Sequence, residues 1–182
     1  VLDQSGSMAY NFNGDNAGTN SERRQYAMKQ AVNNFIDQVA GKYEAEKADH
    51  RISIVTFGSN AQRLSDWTSV TEQGKSSLQS KINGLPERPS GATNAGAGMQ
   101  QAVSLINSAG SVEGRSQVVI MFTDGVPTTS SDFDTDVANT AIQNAKTLKD
   151  QGVSIYSVGI FSGANPEELY GKEGRSEERR VG

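Results

Sequence analysis

Two apolar runs, QVVIMF at 117–122 and VSIYSVGIF at 153–161, constrain the fold more than any other feature of the chain. Each is short, nearly continuous in apolar character and rich in β-branched or aromatic side chains. That is the pattern of a strand buried on both faces. Between them, residues 134–151 place Val137, Ala141, Ile142, Ala145 and Leu148 on one face of a helix. Strand, amphipathic helix, strand is the signature of a parallel β-α-β unit.

The same alternation runs upstream. Val1–Leu2 reads as the end of a strand. Residues 21–39 read as a helix with Ala27, Met28, Ala31, Val32, Phe35, Ile36 and Val39 inward, stopped at Gly41. RISIVTFGS (51–59) is a strand, and QRLSDWTSVT (62–71) a second short one antiparallel to it. Residues 73–82 form a short helix ending at Gly84. Residues 94–107 form another, with Met99, Ala102, Val103 and Ile106 on one face. The expected fold is α/β, a mostly parallel sheet with helices on both faces. Met28, Met99 and Met121 are expected in the core, and Trp67 in packing.

Composition removes several classes of function. The 182 residues carry a formal net charge of −4, with no basic block to attract nucleic acid or an anionic membrane. No run approaches the roughly 18 apolar residues of a transmembrane span. There is no cysteine, so disulfides, thiolate nucleophiles and Cys-ligated zinc are excluded. The single histidine, His50, sits in the charged stretch KADHR and reads as a solvated loop residue.

In a parallel sheet covered on both faces, ligands bind at the carboxyl ends of the strands, near a switch in strand order. Three polar, glycine-rich loops are placed for that edge: DQSGSM (3–8), PSGATN (89–94) and TDG (123–125). Asp3, Ser5 and Ser7 alternate, so an extended loop can aim all three at one point, with Gly6 allowing a tight turn. Thr93 lies on the second loop and Asp124 on the third. Two carboxylates and three hydroxyls are hard oxygen donors, suited to Mg²⁺ or Mn²⁺. So few charged ligands would leave the ion electrophilic, with a position open to an incoming carboxylate.

DQSGSM, GATNAGAGM and FTDGVPT, in this order, resemble the three pieces of the metal-ion-dependent adhesion site of von Willebrand factor A domains. The resemblance extends to about Tyr170. It implies a Rossmann-like, doubly wound sheet. It implies that Asp3, Ser5 and Ser7 hold the metal, that Thr93 binds it directly when a ligand is engaged, and that Asp124 acts through water. A partner's Asp or Glu carboxylate then completes the coordination, a host matrix protein being one such partner. Members with DQSGSM-like loops resemble adhesins or pilus-tip proteins on the bacterial surface, which makes an extracellular binding module the expected function. The alternative is a cytoplasmic assembly or chelatase-type factor working with an AAA+ ATPase.

Catalysis is not expected. A haloacid-dehalogenase-like phosphatase needs a second Asp where Ser5 stands. The G-x-S-x-G elbow of serine hydrolases is absent around Ser5 and Ser7. GATNAGAGM lacks the Lys-Ser/Thr ending of a phosphate-binding loop, and its glycines read as close helix packing. The insertion AYNFNGDNAGTN (9–20) reads as a surface loop bordering the metal edge. Its alternating Asn11, Asn13 and Asp15 lack the rest of a calcium loop. At the other end, RSEERRVG (175–182) matches the conceptual translation of a sequencing adapter. Before it, NPEELY has the form of a helix start, with Asn165 as cap. The expected domain is therefore residues 1–174, a fragment with its first strand clipped and the family's last strand and helix missing.

Overall fold

The computed structural model describes residues 1–46, 49–110, 114–130 and 132–160. The proposed cap at Asn165 and the segment 175–182 lie outside these. The elements are β1 (Leu2–Asp3), α1 (Arg24–Glu46), β2 (Arg51–Phe57), β3 (Ala61–Ser69), α2 (Glu72–Asn83), α3 (Ala95–Ala109), β4 (Val118–Thr123), α4 (Thr135–Asp150) and β5 (Ser154–Gly159). The sheet order is β3-β2-β1-β4-β5. β1 lies parallel to both β2 and β4, β4 is parallel to β5, and β3 returns antiparallel to β2. From β1 the chain builds outward to one side through β2 and β3, then to the other through β4 and β5. The strand order therefore switches at β1, and the carboxyl ends of β1, β2 and β4 share one edge.

Helices cover both faces. Met28, Val32, Ile36 and Ala40 recur every four residues on α1, and all four are buried. They join Leu78 and Ile82 of α2 and Leu2, Ile54 and Phe122 of the sheet in one core. Met99, Ala102 and Ile106 of α3 meet Leu148 of α4 and Val119 of β4 in the other. Three of the helices are closed at their amino ends by side chains. Thr71 accepts from Gly74 N at 3.2 Å, Asn94 from Ala97 N at 3.0 Å, and Asp134 from Asp136 N and Val137 N at 2.9 and 3.1 Å.

Several expectations are corrected. Ala31 and Phe35 of α1 and Ile142 of α4, expected inward, are exposed, Ile142 by 63%, because they stand at the margins of their helices' apolar stripes. Helix α1 does not stop at Gly41; it runs to Glu46. Gly41 does not take the left-handed conformation that ends helices, and a lone helical glycine costs only about 1 kcal/mol relative to Ala. Strand β5 is not buried on both faces: Tyr156 is 60% and Val158 39% exposed. Among the described residues it is one of the sheet's two edge strands, β3 being the other. In β4 only Val119 and Phe122 are buried; Val118 is exposed and Met121 half-buried, packed against the second core. His50 is half-buried rather than solvated, and its Nε2 is buried with no hydrogen-bond partner.

Candidate metal centre

Asp3 closes β1 at the switch point, wholly buried. Its Oδ1 accepts from Ser5 N at 2.8 Å, which folds the loop back over the strand end. Its Oδ2 accepts from the Thr123 hydroxyl at 2.7 Å, tying it to the end of β4. Burial raises the Asp3 pKa above the ordinary carboxylate value, and the neighbouring Asp124 raises it further. The bonds from Ser5 and Thr123 pull the other way and do not cancel the burial. Among the described residues no cationic side chain pairs with Asp3.

The hydroxyls continue from there. Ser5 Oγ and Ser7 Oγ lie 3.0 Å apart, and Ser7 Oγ donates to Asp124 Oδ1 at 2.8 Å. Asp124 is also fully buried in its side chain, and its Oδ2 accepts from Arg24 Nη1 at 2.7 Å. Thr93 is buried beside them. A Cβ built on Gly125 would lie 3.5 Å from both Ser7 Oγ and Thr93 Oγ1, so these two hydroxyls flank the same glycine. The five residues singled out from the sequence thus gather at one edge.

Backbone bonds hold the three loops together. Gly6 N donates to Gly91 O at 3.0 Å, joining the first loop to the second. Thr93 and Thr128 exchange both N–H···O bonds at 3.1 Å, joining the second to the third. Gly91 has φ +104°, a conformation that suits glycine, and a Cβ there would come within 2.7 Å of Ser59 Oγ. That hydroxyl instead accepts from Ala92 N at 3.0 Å. Gln4 and Gln25 exchange amide bonds at 3.0 and 2.8 Å, stapling the first loop to α1.

Several of these participants escaped the sequence reading. Thr123, Ser59 and Gln25 carry no distinctive spacing. Arg24 had one signal: it opens α1, where a cation opposes the helix dipole and calls for a compensating anion. Within the insertion, Asn11 Oδ1 accepts from Asn13 N and Asp15 N inside its own turn. Among the described residues no three His, Cys, Asp or Glu side chains converge. The candidate centre is thus two carboxylates set among hydroxyls, a donor set that fits a small hard divalent cation.

A mostly parallel α/β sheet with this loop cluster at its switch point defines the class. Residues 1–181 match the von Willebrand factor type A domain family, and the chain belongs to it. No curated protein matches the sequence significantly. Among solved structures it is similar to the PilB minor pilin of Streptococcus sanguinis, with TM-score 0.70 and 18% identity over 94% of this chain and 51% of that one. The von Willebrand factor domain of the pilus-tip protein Mfa5 of Porphyromonas gingivalis gives TM-score 0.65 and 17% identity over 87% and 78%. Proximal thread matrix protein 1 from mussel byssus, solved with zinc in its adhesion-site motif, gives 0.62 and 20% over 87% and 36%. The chain spans about half the length of the pilin. No described helix is long and apolar enough to cross a membrane.

Proposed function

We propose that the domain is a divalent-cation-dependent, non-catalytic protein-binding module of the bacterial surface. Asp3, Ser5, Ser7, Thr93 and Asp124 would hold Mg²⁺ or Mn²⁺. Asp3 carries this reading. It is a fully buried carboxylate beside a second one, with no cationic partner among the described residues. Burying a charge is costly unless it is paired or bound to a metal. The hydroxyls around it can offer lone pairs while donating their protons to carboxylates, as Ser7 does to Asp124.

When bound, the ion supplies a Lewis-acidic position for a carboxylate oxygen. An Asp or Glu of a partner protein is the natural occupant, because only two acidic ligands come from this chain. Similarity to pilus proteins supports the surface location.

The test is direct titration with Mn²⁺, followed by electron paramagnetic resonance, and with Mg²⁺, followed by calorimetry. The whole chain is expected to bind both, while D3A and D124A bind neither. Equal binding by wild type and variants would remove the site. Capture of immobilised matrix proteins in Mg²⁺, released by chelator and lost in D3A, would establish adhesion.

A further inference from the structure

We propose that Arg24 is a built-in counter-ion that sets the cation affinity of this centre; the inference rests on the metal reading above. The guanidinium donates through Nη1 to Asp124 Oδ2 at 2.7 Å, and Ser7 takes the other oxygen at 2.8 Å. The pair is largely shielded from water: the Asp124 side chain is 0% and that of Arg24 11% exposed. Attraction across such a short, poorly solvated gap is strong. Without it, two neighbouring buried carboxylates would face each other uncompensated.

Arg24 is placed there deliberately by the fold. It opens α1, an unfavourable position for a cation unless an anion faces it. The insertion fixes its backbone: Arg24 N donates to Tyr10 O at 3.0 Å, and Asn11 bridges Arg23. Nη2 reaches Phe12 O at 3.5 Å, while Nε is buried with no partner. The insertion at 9–20 thus acts on the centre through this side chain, besides the backbone bond from Tyr10 N to Ser7 O at 3.1 Å.

Two consequences follow. Arg24 cancels one of the two acidic charges, so the metal-free cluster is electrostatically quieter. It also repels any cation brought in beside Asp124, and so keeps affinity low and occupancy responsive to cation concentration. The contact to Asp124 is through one nitrogen only, so its main contribution is charge, which Lys would preserve.

The experiment is Mn²⁺ titration of the whole chain, read by electron paramagnetic resonance, for wild type, R24Q and R24K. R24Q should bind at least about tenfold more tightly, as expected for removing a like charge next to a cation. R24K should stay within about threefold of wild type. A purely structural role would instead weaken binding in R24Q. Unchanged or weaker binding by a folded R24Q, with wild type binding normally, overturns this inference alone. No binding by wild type or R24Q overturns the metal reading with it. Should R24Q not fold, the wild-type Arg24 side-chain N–H resonances decide: they should shift on saturation with diamagnetic Mg²⁺, and signals that do not move would refute the proposal.

Discussion

Asp3 is legible as a candidate site residue, but what holds it in place is not. Its alternation with Ser5 and Ser7 marks the loop in the sequence. The residue that holds its second oxygen, Thr123, is separated from it by 120 positions and looks like any strand-ending threonine. Only the parallel pairing of β1 with β4 brings the two together. This makes T123V informative, since it keeps the shape and removes the donor. Hydrogen bonds to charged groups contribute about 1.5–3 kcal/mol, and an orphaned buried acceptor is costly. T123V is expected to lower stability by about that amount in urea denaturation. An unchanged midpoint would mean that the Thr123–Asp3 bond does not matter. Arg24 was hidden for the same reason: its partner Asp124 lies 100 positions away.

At the scale of elements, the helices are legible because their apolar spacing is local, but which residues at the margins of each stripe end up covered is not, as exposed Phe35 and Ile142 show. Strand type is less legible because burial is not local. An apolar run specifies a strand without saying which neighbours cover it; β5 reads as central yet shows Tyr156 and Val158 to solvent. Glycine meaning also depends on neighbours. Gly96 and Gly98 open α3 as packing glycines. A Cβ on Gly96 would lie 2.9 Å from Thr140 Cβ on α4, and one on Gly98 would lie 2.9 Å from Phe57 Cδ1 on β2. Phe57 is 1% exposed and has nowhere to go. Gly41 sits exposed on α1 with nothing within 4 Å of such an atom. The same substitution should therefore have opposite signs. G98A is expected to lose about 1–3 kcal/mol to overpacking, despite Ala being the better helix former by about 1 kcal/mol. G41A should gain about 0.5–1 kcal/mol. Thermal or urea unfolding of both variants checks the pair, and a stabilised G98A would show that α3 can move away from the sheet.

At the scale of the whole molecule, the candidate site depends on the sheet order β3-β2-β1-β4-β5, which puts the ends of β1 and β4 side by side. Asp3, Ser5 and Ser7 come from the end of β1 and the loop after it, Thr93 from the loop before α3, and Asp124 from the loop after β4. No one of these segments carries the whole set, so a cation held by all of them would bind the folded chain and not the unfolded one. Such binding stabilises by mass action, by about 2.7 kcal/mol at a hundredfold excess over the dissociation constant. Mg²⁺ is therefore expected to raise the urea midpoint of the wild-type chain and to leave that of D3A where it was. A wild-type midpoint that does not move with Mg²⁺ would mean that the three loops, although folded together, hold no cation.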